Sequence, residues 1–338
     1  MKENNVLAVA GATGLVGESM LDLLAQRRFP AVSVHALASA RSVGRRVSYG
    51  NSMLVVQNLA TFDFSQVDIA LFSAGASVSE EHATRAAAEG CVVIDNTSCF
   101  RYDDDVPLVV PEVNIEAIEQ YRQRNIIANP NCSTIQLLVA LKPIYDKAGI
   151  ERINVATYQA VSGAGRSAIE QLAGQTARLM NGQPLDDEEA QIAFNVRPHI
   201  DNFLDNGYTR EEMKIVWETH KILDDETVAV NPTAVRVPVF FGHSEAVHIE
   251  TRRKLSADEA RELLARAPGV TLVDRRAPGG YPMAATDGVG TDSVYVGRIR
   301  EDISHERGLN LWVVSDNVRK GAALNSVQIA EILVKDHI

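Results

Sequence analysis

The stretch NVLAVAGATGLVGESMLDLLAQR, residues 5–27, decides the fold. NVLAVAG (5–11) is a short, almost wholly apolar run and reads as a buried strand. LVGESMLDLLAQR (15–27) carries apolar residues at helical spacing. Between them, GATGLVG places Gly11, Gly14 and Gly17 directly after the strand and at the opening of the helix. Backbone amides at such a helix start bind a pyrophosphate, and glycines let the backbone come close to it. The spacing is GxxGxxG rather than the commoner GxGxxG, and a tight strand–helix turn without a ligand would use the same residues.

Working outward, the alternation continues. VSVHALAS (32–39), VDIALFSAG (67–75), CVVIDNTS (91–98) and RNIIANPN (124–131) read as further strands, with SEEHATRAAAEG (79–90) a helix between two of them. Strand–helix alternation predicts a parallel sheet covered on both faces. A site for NAD places an acid near the end of the second strand, on the ribose hydroxyls. Here that strand runs into Ser39, Arg41, Ser42, Arg45 and Arg46, with no acid. Hydroxyl and guanidinium suit the 2′-phosphate of NADP; a solvated basic loop would look the same.

After residue 131 the pattern changes. STIQLLVALKPIYDKAG (133–149) reads as a long helix and RINVATYQAVSG (152–163) as a strand entering a glycine turn. VRVPVFFGHSEAVHIETRR (235–253) reads as strand, turn at Gly242–His243, strand; DSVYVGRIRED (292–302) and GLNLWVVSD (308–316) are further strands. These predict an α+β second domain with an antiparallel or mixed sheet. Residues 181–231 are the most polar region, an excursion of helices and loops, and NVRKGAALNSVQIAEILVKD (317–336) is helical.

The formal net charge of −11 argues against nucleic acid or anionic membrane as partner. No apolar run approaches the ~18 residues that span a bilayer, and the start, MKENNVLAVAGATG, does not read as a secretion signal. The three cysteines, Cys91, Cys99 and Cys132, lack CxxC spacing. Neither a disulfide framework nor a metal site is expected, and a cytoplasmic protein is.

Cys132, in NPNCSTIQ (129–136), stands where a helix begins, with Asn131 or Ser133 to cap it. The positive end of the helix favours a thiolate, which can attack a carbonyl. Taken alone, the position serves an inert thiol equally well. Cys91 and Cys99 flank a core strand and read as structural. Among eight histidines, His243 lies in a Gly-His-Ser-Glu turn between apolar strands, which presents a side chain to a cleft or to a core; His248 reads as structural.

GATGLVG, NPNCSTIQ, YQAVSGAGR, RVPVFFGHSE and DNVRKGAALNSVQIAE, in that order, resemble aspartate-β-semialdehyde dehydrogenase from Val6 to about Ile332. The resemblance implies NADPH-dependent reduction of L-aspartyl-4-phosphate to L-aspartate 4-semialdehyde and phosphate, through a cysteine thioester, on the way to lysine, threonine, methionine and diaminopimelate. It implies an α/β fold: a Rossmann-type parallel-sheet NADP domain (1–131, completed by a helix over 317–338) and an α+β catalytic and dimerisation domain with a mixed sheet (132–316), assembled as a homodimer. VPVFF (237–241) would supply that interface or the core. Carried over residue by residue, Cys132 is the nucleophile, His243 the general acid/base, and Gln159 orients the substrate beside the sulfur. Arg236 takes the α-carboxylate and Glu211, rather than Glu212, the ammonium. Lys214, Arg101 and Asn131 take the phosphate. For NADP the resemblance points to Thr13, Gly14, Leu15, Val16, Arg41, Ser42, Ser162, Gly163 and Asn317, beside Gly11, Gly17 and Ser39 of the loop and strand end.

Two other readings compete. N-acetyl-glutamyl-phosphate reductase runs the same chemistry on a longer, acylated substrate, but would show an NPGCY-like motif where this chain has NPNCS. A non-catalytic paralogue would have lost the cysteine or the histidine; both are here.

Overall fold

A computed structural model describes residues 5–186 and 190–338. The chain forms two compact units, residues 1–131 with 322–338, and residues 132–321.

The first unit holds β1 (Asn5–Ala10), α1 (Leu15–Gln26), β2 (Ala31–Ala38), β3 (Arg46–Tyr49), β4 (Ser52–Val55), β5 (Gln57–Asn58), β6 (Ile69–Phe72), α2 (Ala76–Ala88), β7 (Val92–Asp95), α3 (Pro111–Asn114) and β8 (Ile126–Ala128). Six strands make one sheet in the order β5-β2-β1-β6-β7-β8, parallel throughout. β1 lies centrally and is almost wholly buried, as an apolar run without alternation predicts. The strand order turns between β1 and β6, the place where doubly wound sheets bind ligands. The β3–β4 hairpin is absent from the elements expected above, although Gly50–Asn51 is a two-residue hairpin turn and Val47 is buried between exposed Arg46 and Ser48. α2 begins three residues before the expected Ser79. The last helix, α8 (Leu324–Asp336), belongs to this unit. Its Leu324, Val327, Ile329, Ala330, Leu333 and Val334 join the core with Leu7, Val9 and Met20. Arg27 pins the end of α1 to it through both carboxylate oxygens of Glu331, at 2.8 Å each. The residues before it, Arg319–Ala323, form a π-helical turn rather than the regular helix expected from 317.

The second unit holds α4 (Cys132–Ala148), β9 (Ile150–Gln159), α5 (Arg166–Met180), α6 (Arg210–Leu223), β10 (Ala229–Arg236), β11 (His243–Thr251), α7 (Ala257–Leu264), β12 (Val270–Leu272), β13 (Val294–Glu301) and β14 (Gly308–Ser315). The sheet order is β10-β9-β11-β14-β13-β12. β10–β9 and β13–β12 pair parallel and the rest antiparallel, so the sheet is mixed. α4 is buried along most of its length and packs on β9, β11, β13 and β14. VPVFF is neither strand nor core. Pro238 allows no ladder hydrogen bond, β10 stops at Arg236, and Phe240 is 42% exposed in a loop. No helix of the described residues is long and apolar enough to cross a membrane.

Candidate active site

In the first unit, the β1–α1 turn is tight. Gly11 has φ +87, and a Cβ there would fall 2.4 Å from the Ser73 carbonyl oxygen after β6. A Cβ on Gly17 would fall 2.2 Å from the Gly11 oxygen. α1 opens at Gly14 with no side-chain cap, which leaves its first amides for a ligand. Thr13, Leu15 and Val16 are half-buried around that opening. Gly11 and Ala12 amides both donate to the Leu37 carbonyl, at 2.9 and 3.1 Å, which sets the loop beside the end of β2. There Ser39 and Arg41 are exposed and Ser42 half-buried in a 3₁₀ turn, with no acid. A cradle that no Cβ could share and a bare helix start fit the pyrophosphate of a dinucleotide.

Arg101 of this unit is buried, and its Nε and Nη2 donate to the carbonyls of Thr97 and Asn96, each at 3.0 Å. Asp95 supports that segment: its Oδ2 accepts from Thr97 Oγ1 at 2.6 Å and its Oδ1 from Ser79 Oγ at 2.8 Å. Asn131, also buried, is the last residue before α4.

In the second unit, Cys132 is the first residue of α4 and half-exposed. The amides of that first turn favour a negative sulfur. Gly321 gives it room: a Cβ there would lie 2.8 Å from Cys132 Cβ. Ser133 faces Gln159 at the end of β9, whose Nε2 donates to Ser133 Oγ at 2.9 Å and to Glu211 Oε1 at 3.0 Å. Glu211 Oε2 in turn accepts from Lys214 Nζ at 2.9 Å. Thr209 and Glu212 cap α6 reciprocally, and Glu212 Oε1 accepts from the Ala234 amide at 2.9 Å. Glu212 is thereby structural and Glu211 is the acid that reaches the site.

Arg236 ends β10, and its Nη1 donates to the Ala160 carbonyl at 2.7 Å. Burial lowers its pKa, against the nearby charges of Glu211 and Cys132. His243 is fully buried at the start of β11. Its Nδ1 accepts from the Ala160 amide at 3.1 Å, which puts the proton of the neutral ring on Nε2. Burial first, and Arg236 second, push its pKa down to about 3, so the ring is neutral at physiological pH. Nε2 has no protein partner. A Cβ on Gly163 would lie 3.3 Å from Arg236 Nη1 and 3.4 Å from His243 Nε2, so both groups open onto the space that glycine leaves. Ser162 and Asn317 bond each other, and Asn317 Oδ1 also accepts from the Gly242 amide at 2.9 Å, which fixes the turn before His243.

The second unit therefore gathers Cys132, Gln159, Glu211, Lys214, Arg236 and His243, with Ser162, Gly163 and Asn317 behind them. The sequence reading missed Ser133 as the rest for Gln159. His248 is held by Asp302 at 2.7 Å and Asn154 at 3.1 Å. Burial raises the thiols of Cys91 and Cys99, the latter to about 11, as suits structural cysteines.

Residues 6–121 match the family model for the semialdehyde dehydrogenase NAD binding domain, and residues 141–320 the model for the semialdehyde dehydrogenase dimerisation domain. The chain is 61% identical to the aspartate-semialdehyde dehydrogenase of Legionella pneumophila, over 98% of this chain and 96% of that one. The crystal structure of aspartate semialdehyde dehydrogenase II of Vibrio cholerae, complexed with ASA, superposes with a TM-score of 0.97 at 58% identity over 99% of each chain. The Candida albicans enzyme, solved with NADP, does so with a TM-score of 0.76 at 26% identity over 98% of each. The chain belongs to the aspartate-semialdehyde dehydrogenase family.

Proposed function

We propose that the protein reduces L-aspartyl-4-phosphate to L-aspartate 4-semialdehyde with NADPH, releasing phosphate, in the shared route to lysine, threonine, methionine and diaminopimelate. The observation that carries the residue assignments is the opening of Arg236 and the His243 Nε2–H onto the space beside Gly163, with Cys132 near enough for its charge to act on Arg236.

Cys132, as thiolate at the helix start, attacks the acyl carbon, and the C–O bond to phosphate breaks. Arg236 offers two-point recognition to the α-carboxylate and Glu211 holds the ammonium. Lys214, Arg101 and Asn131 take the phosphate. Gln159, held by Ser133 and Glu211, keeps the acyl group beside the sulfur. The dinucleotide, held by Gly11, Thr13, Gly14, Leu15, Val16, Gly17, Ser39, Arg41 and Ser42, with Ser162, Gly163 and Asn317, supplies a hydride. The His243 Nε2–H donates a hydrogen bond to the oxygen of the tetrahedral carbon on Cys132 and holds its negative charge, and that oxygen re-forms the carbonyl as the sulfur leaves as thiolate. Because Nδ1 accepts a backbone amide, the ring enters the cycle as a donor.

The absence of an acid at Ser39–Ser42 favours NADP over NAD. A homodimer is read from the face of the mixed sheet where Tyr158 and Trp312 pack together, beside a groove of about 290 Å³ lined by Tyr281, Pro282, Met283 and Trp312 with Arg298 and Arg300.

One assay decides the reaction: protein with aspartate semialdehyde, phosphate and NADP⁺ should generate absorbance of the reduced nicotinamide. No reaction, or one indifferent to phosphate, overturns the reading. Cys132→Ser should lose turnover and still bind the cofactor.

A further inference from the structure

The segment before α6 contains an acid that the roles above leave out. Asp201 sits in the left-handed region at φ +68, which residues other than glycine seldom adopt. Its Oδ1 accepts from the Asn202 amide at 2.8 Å and its Oδ2 from Lys214 Nζ at 2.8 Å. The same ammonium donates to Glu211 Oε2 at 2.9 Å. The segment is fixed on both sides of Asp201. Arg197 exchanges backbone hydrogen bonds of 2.9 and 2.8 Å with Arg236, His199 stacks on Phe203 with centroids 4.5 Å apart, and the Arg210 amide donates to the Asn202 carbonyl at 2.8 Å.

Lys214 thus has two carboxylates for one ammonium. With Glu211 alone, the pair would be neutral, and Glu211 would meet a substrate ammonium with its charge already balanced. With Asp201 present, the three groups carry a net single negative charge. Glu211 lies on the side of the nucleophile: its Oε1 accepts from Gln159 Nε2 at 3.0 Å, and its charge acts on Arg236 and His243.

We propose that Asp201 is a specificity-determining positioning residue: by holding Lys214, it leaves Glu211 charged toward the substrate and so selects for an aldehyde with a free α-ammonium. The proposal rests on the reading of Glu211 given above. Lys214 is kept in place by the same contact, but the charge of Asp201, rather than its shape, is what the selection uses.

The test compares aspartate semialdehyde with succinate semialdehyde, which lacks the ammonium, as KM for the first and as competing Ki for the second. Asp201→Asn keeps an acceptor oxygen and a residue that tolerates the left-handed backbone, while removing the charge. The expected result is a KM for aspartate semialdehyde raised about five- to tenfold, kcat and the Ki of succinate semialdehyde unchanged, and partial recovery in Asp201→Glu. An equal change for both aldehydes, or none for either, overturns the proposal. Glu211→Gln separates the two layers. If it erases the discrimination and Asp201→Asn does not, Asp201 alone is wrongly placed. If Glu211→Gln also leaves discrimination intact, the assignment of Glu211 falls and the role of Asp201 with it.

Discussion

At the scale of single residues, two buried titratable groups on one face of β11 pull stability in opposite directions. The folded His243 imidazole titrates near 3 against an ordinary 6.5. Between those values the unfolded chain binds a proton that the folded one does not, so stability falls as pH drops through that window. Glu245 is also fully buried, and burial raises its pKa well above 4.5. The folded carboxyl keeps a proton that the unfolded chain has lost, so stability falls as pH rises from about 4.5 through the folded value. Glu245→Gln should therefore raise the urea midpoint at pH 8 and change it little at pH 4. An equal shift at both would show that packing, rather than proton linkage, sets the effect. His243→Asn should flatten the acid limb and lower turnover roughly 10²–10³-fold, as the loss of an oxyanion donor does. Cys132 and His243 were legible because their neighbours, NPNC and GHSE, form short contiguous motifs. Asp201 and Ser133 were not, since their partners lie 13 and 26 residues away and neither spacing is a helical or strand period.

At the scale of elements, tight approaches at two glycines carry the predictions. Gly17→Ala must push α1 off the Gly11 carbonyl, which as overpacking costs about 1–3 kcal/mol and opens the dinucleotide cradle. Titration of NADP⁺ by fluorescence should show weakened binding, and unaltered affinity would remove the cradle assignment. Gly321→Ala places a methyl group against Cys132 Cβ. Turnover should fall about a hundredfold, as an ångström-scale misplacement of a reacting group implies, with the melting curve nearly kept. The parallel sheet could be read in advance because its strands are apolar without alternation. The β3–β4 hairpin escaped because each strand is only four residues long, although Val47 is buried and Gly50–Asn51 is a hairpin turn. VPVFF misled for the opposite reason: an apolar run looks like a strand, yet β10 ends at Arg236 and Phe240 stands exposed in a loop.

At the scale of the whole molecule, the nucleotide-binding unit is discontinuous. Its opening 131 residues are completed by residues 322–338, and α8 brings six aliphatic or alanine side chains into the core. Each fully buried aliphatic side chain is worth about 1.5–3 kcal/mol, so removing residues 324–338 forfeits an amount comparable to the ~5–15 kcal/mol that hold a protein folded. That truncation should abolish NADP⁺ binding and the cooperative melt of the first unit; retention of both would mean that α8 is dispensable. There is a consequence for how the chain is made. At ~5–20 residues per second, the ribosome takes about ten to forty seconds to produce residues 132–321. Throughout that time β1, β6 and β7 have no final helix to cover them. The nascent sheet keeps an uncovered apolar face for that interval, and the dinucleotide loop, although made before residue 132, becomes competent only once residues 322–338 have followed.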